Sequence, residues 1–515
     1  MAYRAWLLRD SFQLWQILAA AFISLGIFLC SDSITEIPYL AFNIGFWLFY
    51  VGAAVYAKLP VKVPQEEDEE ALAALQSAAK TRRGLSAKSV LAAILAVELI
   101  LNLVCFGLYF PGTYTANYPK GTESTASMIR YMQEREADTL FYRAEVTHSQ
   151  TLNDGALNGY NGISTFTSSA NVRVTEFMKR LGYAAKNTYN RYCYEESSPV
   201  SNLFLNLKYM IERDGNVEPN VYFDEIHHYD KVYLLKNNAY LPLGFLAESG
   251  LAKLDFSTGS DNFSFQNALL RAASGVTGSV WTTIPSSGFT VTGNNASILS
   301  QSGSGYTAYG NCGEDASIFY TYTITDAGFL CIDVDFPERN SMTVWKNGVQ
   351  LYSESISLAQ MLSVSDVVPG DVVEVRISCS NGESGSVTVK AAILNETVFR
   401  DAYSILSAST LELTTFTNTK VAGTILCDRD GLLYTSIPQN GDWTATVDGE
   451  EAEIVLVGDA MVGVYLTQGA HTVTFTYRNS AFSLGWKISL GCALIFAAAV
   501  LVSRKPCRKK GKYEK

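Results

Sequence analysis

Glu98 and Asn102 stand four residues apart inside an almost wholly apolar stretch, 90–110. At that spacing they share one face of a helix. An ionisable group in such a stretch is costly and by default marks a substrate contact; the other reading is a polar pair that holds this helix to its neighbours. Asp224, Glu225, His227, His228 and Asp230 bring histidine and acid together. Adjacent histidines on a strand point to opposite faces and no metal-site spacing is met, so the cluster reads as a solvated loop. The short link 31–37 offers Asp32 and Glu36 as candidate bases, although acids in loops are ordinarily there for solvation. No glycine-rich phosphate loop, nucleophile elbow or zinc signature is present. Cys193, Cys312, Cys331, Cys379 and Cys427 lack CxxC spacing and are odd in number, so they read as buried, reduced side chains.

The elements that must position these residues are of two kinds. Nearly half of the 515 residues are hydrophobic and only 17% are charged, yet the apolar residues collect in blocks at 12–29, 38–57, 90–110 and 484–502. Each block approaches the roughly 20 residues a helix needs to cross about 30 Å of hydrocarbon. The sequence thus predicts a membrane protein of the α+β class with about four transmembrane helices. Nothing before the first block has the pattern of a cleaved secretory signal.

Basic residues flanking the blocks set the orientation. Arg4 and Arg9 precede the first block, the link 58–89 carries Lys58, Lys62, Lys80, Arg82, Arg83 and Lys88, and the tail 503–515 is strongly basic, whereas 31–37 has no Lys or Arg. Both termini (1–11 and 503–515) and the link 58–89 are therefore expected in the cytoplasm, and 111–482 outside the cell membrane. The net charge of −11 comes mainly from that exterior part, which argues against a nucleic-acid partner.

The exterior part changes character along its length. Over 111–285 helical and strand patterns mix. Val174, Phe177, Met178 and Leu181 recur at helical spacing, preceded by the polar residues Ser168 to Asn171 and closed by Gly182; Val200, Leu203, Phe204 and Leu207 repeat that spacing after Pro199, and 208–211 reads as a strand. From 286 onward alternation and turns dominate. Asn347-Gly348 and Asp448-Gly449 suit type I′ hairpins, and the same order of features occurs twice. The expectation is two β-sandwich modules, 286–397 and 398–482, the second running into the last apolar block.

Several words of this sequence resemble the YfhO family of bacterial membrane proteins. They are Phe141-Tyr142-Arg143-Ala144-Glu145, Asn153-Asp154, Tyr160-Asn161-Gly162-Ile163-Ser164-Thr165-Phe166, Leu241-Pro242-Leu243-Gly244-Phe245 and Phe265-Gln266-Asn267-Ala268-Leu269-Leu270. The closing words are Ser436-Ile437-Pro438, Trp443, Val447-Asp448-Gly449 and Gly469-Ala470-His471. They run in order from the third apolar block to the C terminus.

The resemblance implies a GT-C-like glycosyltransferase setting, with a polyprenyl-phosphate-linked sugar as donor, membrane lipid around the spans and an envelope polymer such as teichoic acid as acceptor. Members begin with more spans than are found here, and the acid expected to do the chemistry sits in an early outer loop that this sequence does not match. Ala2-Tyr3-Arg4 resembles the end of a Pro-Tyr-Arg word. The chain is therefore expected to be a C-terminal portion, a fragment or half of a split system, whose partner is an upstream transmembrane half; no catalysis is expected of it alone. Tyr142, Arg143, Asn161 and Asn267 are the candidates for a surface facing glycan or lipid headgroup, since Arg pairs with phosphate and Asn reads hydroxyls; the alternative is that they maintain the fold. Trp345 and Trp443, beside the two hairpins, read as packing. A non-catalytic, membrane-anchored glycan-binding or assembly module is the alternative function.

Overall fold

The computed structural model describes residues 14–29, 37–56, 69–109, 122–147, 149, 151–194, 198–213, 215, 221–254, 257–336, 340–356 and 358–503. Asp32, Glu36, Ala2-Tyr3-Arg4 and the basic residues 504–515 lie outside them. Two compact units divide the chain at Tyr118 and Pro119.

The first unit contains α1 (Leu14–Leu29), α2 (Ile37–Tyr56) and α3 (Glu69–Tyr109). Trp47 Nε1 on α2 donates to Ser24 Oγ on α1 at 3.0 Å. Helix α3 starts at Glu69, inside the stretch expected as a link, because 69–83 is built of Ala, Leu, Glu, Gln, Lys and Arg with few interruptions, all strong helix formers. Its apolar part is Ala92–Val104, and that of α2 is Asn43–Ala53. The 16 described residues of α1 extend about 24 Å, short of the roughly 30 Å of a hydrocarbon core. Of the four expected spans, one is long and apolar enough to cross a membrane among the described residues: Ser480–Val500, in the second unit.

The second unit carries α4 (Thr122–Arg135), α5 (Asp154–Asn158), α6 (Val172–Arg180), α7 (Pro199–Phe204), α8 (Asn262–Ser274), α9 (Glu396–Ser407) and α10 (Ser480–Ser503). Helix α6 starts where Asn171 accepts from the N–H groups of Arg173 and Val174, and it buries Val174, Phe177 and Met178. Four strands form a sheet in the order Arg143–Val146, Leu207–Glu212, Val232–Asn237, Phe223–Tyr229. The His and acid cluster is therefore an edge strand, not a loop, turning at Asp230 (φ 57°) into its partner. Its polar, exposed side chains hide the alternation that marks a strand. Among the described residues no His, Cys, Asp and Glu group is arranged to hold a metal. Cys193, Cys312, Cys331, Cys379 and Cys427 are all buried and unbridged.

Two β-sandwiches follow. The first stacks Phe289–Asn294, Ser317–Thr323, Val372–Ser378, Asn340–Lys346 and Val349–Ile356 on a sheet centred on Gly385–Leu394. Tyr320, Val344 and Val375 from one face meet Ile332 and Val389 from the other. The second pairs Glu412–Phe416, Lys420–Cys427, Gly469–Tyr477, Trp443–Val447 and Glu450–Ala452 in one sheet. Its other sheet takes Gly244–Ala247 from far upstream, antiparallel to Gly431–Pro438. Trp281–Thr283 likewise joins the first sandwich from before residue 286. Both hairpins have positive φ at each central residue: Asn347 and Gly348, Asp448 and Gly449. A shared core ties the second sandwich to the mixed region, where the Phe204, Phe245 and Tyr434 rings lie 5.1–5.7 Å apart.

Candidate functional site

The two polar residues of α3 part company. The Tyr50 hydroxyl on α2 donates to Glu98 Oε2, while Asn102 is exposed. Tyr142, Arg143 and Asn161 come together. Asn161 Nδ2 donates to the Tyr142 carbonyl at 3.2 Å, and its own carbonyl accepts from the Ala144 N–H at 3.0 Å. Arg143 Nη1 donates to the Leu205 carbonyl at 3.0 Å, to Asn206 Oδ1 and to Ser436 Oγ at 2.6 Å, and Nη2 reaches the Ser436 carbonyl at 3.0 Å. Burial pushes this guanidinium below the ordinary arginine value. Asn267 stands elsewhere, holding both the N–H (2.8 Å) and the carbonyl (3.1 Å) of Trp281. Asn161 and Asn267 thus hold backbone, and Arg143 holds backbone carbonyls together with the side-chain oxygens of Asn206 and Ser436.

Beside Arg143, strand direction carries Glu145 into the core, 2% exposed, where it accepts from the backbone N–H groups of Ile163, Ser164 and Val146. Burial pushes its carboxyl up to about 7 against those donors. Residues of separate words thus meet: Glu145 with Ile163 and Ser164, Arg143 with Ser436, and Asn153 with the N–H of Phe166 at 2.8 Å. His471 Nδ1 lies 2.7 Å from Asp448 Oδ2.

On the outside, where the small sheet of Thr165–Phe166, Ala184–Lys186 and Arg191–Cys193 faces the second sandwich, a cleft of about 340 Å³ opens. Three aromatic rings line it: Tyr192, Trp443 and Tyr477. Trp443 opens one strand and Tyr477 closes the strand paired to it, so they stand directly opposite with ring centroids 5.3 Å apart. Asn171, Asn418, Gln439 and Asn440 supply amides, and Thr165, Thr167 and Ser169 hydroxyls; among the described residues no Asp, Glu, Lys, Arg or His lines the cleft. Asn171 Nδ2 donates to the Gln439 carbonyl at 2.8 Å, which fixes the wall. Past Tyr477 the chain enters α10, whose first residue is held by Asp442: its Oδ1 accepts from the N–H (3.1 Å) and the hydroxyl (2.7 Å) of Ser480.

Of these lining residues, Thr165 and Trp443 stand in the words that carry the family resemblance, and Trp443 reads from the sequence as packing; it is half-buried and lines the cleft. The signal available was the Trp443 and Tyr477 pair, which face each other across one antiparallel ladder only once its register is known.

The pattern described as "Bacterial membrane protein YfhO" matches residues 1–489. The chain belongs to the YfhO family. A comparison with curated proteins finds no match. Among solved structures, a family 35 carbohydrate-binding module from Clostridium thermocellum is similar to 22% of this YfhO-family chain over 98% of its own length, at 12% identity and a TM-score of 0.17. A second such module, from Paenibacillus barcinonensis, is similar to 22% over 99% of its length, at 13% identity and a TM-score of 0.17. A family 11 module from Clostridium thermocellum, in complex with a β-1,3-1,4-mixed-linked tetrasaccharide, matches 22% over 88%, at 16% identity and a TM-score of 0.13.

Proposed function

We propose that this chain is the outer-face portion of a membrane apparatus that transfers a sugar from a polyprenyl-phosphate donor to a cell-envelope polymer of the teichoic-acid type. In this proposal about four helices cross the membrane, 12–29, 38–57, 90–110 and 484–502, with both ends and 58–89 in the cytoplasm and 111–482 working outside. The observation that carries it is YfhO-family membership over 1–489, joined to a β-rich body whose last strand runs into an apolar helix long enough to span a bilayer. The base that takes the acceptor proton and the cations that hold the donor phosphate come from an upstream transmembrane half.

The test is incorporation of radiolabelled sugar from a polyprenyl-phosphate donor into purified envelope polymer. Membranes holding this chain alone are compared with membranes that also hold the upstream-encoded spans. Transfer in the second preparation alone is the expected result. Transfer by this chain alone would overturn the claim that catalysis needs a partner, and no transfer in either would overturn the whole proposal.

A non-catalytic, membrane-anchored glycan-binding or assembly module is the second reading. It is favoured by the cleft itself, whose lining offers no carboxylate or histidine for acid–base work.

A further inference from the structure

We infer that the cleft between the small sheet and the second sandwich binds uncharged sugar rings, at the foot of the exterior body where the chain enters its apolar helix. The inference deepens the proposed transfer function by naming what is held and rests on it for the source of the sugar.

The cleft is lined by side chains that suit a neutral polyol. Trp443 and Tyr477 present apolar ring faces, on which the C–H face of a pyranose stacks as other flat, weakly polar surfaces do. Amides and hydroxyls surround them, and an amide both donates to and accepts from a sugar hydroxyl. Neither the indole N–H of Trp443 nor the Asn418 amide has a protein partner among the described residues; Asn418 is exposed and Trp443 half-buried. A phosphate would call for Lys or Arg, and a cationic headgroup for a carboxylate; the lining contains neither. The wall is held by bonds within the protein, from Asn171 to the Gln439 carbonyl and from Gln439 Nε2 to the Asp459 carbonyl at 3.3 Å. Recognition therefore needs little rearrangement.

Position narrows the source. From Tyr477 to Ser480 the chain spans at most about 10 Å, and Asp442, beside Trp443, caps the helix start. Sugar in the cleft therefore lies near the place where the chain enters the membrane, within reach of a lipid-linked saccharide and of a polymer drawn down to the bilayer.

The test uses the full chain in nanodiscs, with equilibrium binding of tritiated neutral hexose and N-acetylhexosamine tetrasaccharides, a short-chain polyprenyl-phosphate hexose, and inorganic phosphate as competitor. The expected result is saccharide binding that phosphate does not displace. Trp443→Ala should weaken it roughly tenfold or more, and Asn418→Ala, an exposed change that leaves the core intact, about threefold. Trp345→Ala, in the other sandwich, should leave binding unchanged. Preference for the lipid-linked hexose assigns the cleft to the donor, and preference for free tetrasaccharide assigns it to the acceptor. Absence of saccharide binding, displacement by phosphate, or binding unaffected by both Trp443→Ala and Asn418→Ala overturns the inference. Sugar transfer with no cleft binding sinks this inference alone; cleft binding without transfer sinks the transfer proposal and leaves the cleft standing.

Discussion

Arg143 clasps Ser436 from 293 positions away, one guanidinium nitrogen on the hydroxyl at 2.6 Å and the other on the carbonyl at 3.0 Å. The same side chain ties Leu205 and Asn206, so one residue of the mixed region closes it against the second sandwich. Replacing it leaves these acceptors without their charged donor. Arg143→Ala should cost about 3 kcal/mol or more, read as a lower urea midpoint of the detergent-solubilised chain. Arg143→Lys should recover only part, because an ammonium cannot span both Ser436 atoms in the plane of a fork. A midpoint within error of wild type for Arg143→Ala would refute the clasp.

What the sequence made legible follows from the range of the interactions involved. Helix α6 was readable because its period, its Asn171 cap and Gly182 all lie within a dozen residues, and the hairpins because Asn347-Gly348 and Asp448-Gly449 carry their own backbone requirement. The apolar helix Ser480–Val500 was readable from composition. The enrolment of Gly244–Ala247 in the second sandwich was not, since a strand buried on every residue shows no alternation and its partner lies far along the chain. Arg143, Asn161 and Asn267 were picked for chemical capacity, which does not reveal the internal hydrogen bonds that their side chains make in the fold. The cleft was hidden because Tyr192, Asn418, Trp443 and Tyr477 meet only once two sheets have been placed.

Glu145 gives the second unit a pH dependence with a definite sign. Burial raises its carboxyl from an ordinary 4.5 to about 7, so the folded chain keeps a proton that the unfolded chain releases in that window. The stability it contributes is whole below 4.5 and is lost as the pH rises through 7. Asp333, pushed up to about 7 by burial, acts in the same direction. Glu145→Gln keeps one oxygen to accept from the N–H groups of Ile163 and Ser164, gives up the acceptor of the Val146 N–H, and cannot ionise. Its stability relative to wild type should therefore improve between about pH 5 and pH 8, by up to roughly 3 kcal/mol. Urea titrations at the two pH values decide it, and a difference that stays flat would assign the pH response elsewhere.

Gly182 and Gly159 both hold positive φ, at 95° and 81°, but only the first is crowded. A Cβ on Gly182 would lie 2.7 Å from Met361 Cβ, whereas at Gly159 nothing stands within 4 Å. The carbonyl of Gly182 also accepts from the Met361 N–H at 2.7 Å, so the two segments cannot simply move apart. Gly159→Ala should cost about 1 kcal/mol for its backbone conformation, and Gly182→Ala about 2–4 kcal/mol for conformation and overlap together. Equal losses in thermal denaturation would show that Met361 yields without cost.

Tyr50 and Glu98 link α2 to α3 by one hydrogen bond. A polar pair between helices in an apolar setting is worth about 0.6 kcal/mol on average and up to roughly 1.7 kcal/mol, because the separated helices find other partners. If the bond is the reason for Glu98, Tyr50→Phe and Glu98→Ala should each destabilise the helix pair, and the double variant should lose less than the two losses combined. Reversible unfolding in mixed micelles measures that cycle. Glu98→Gln, which still accepts from the Tyr50 hydroxyl, should retain most of the coupling. Strict additivity, or a loss on Glu98→Ala that is indifferent to the residue at 50, would detach Glu98 from helix packing and restore it as a candidate substrate contact in the transfer assay.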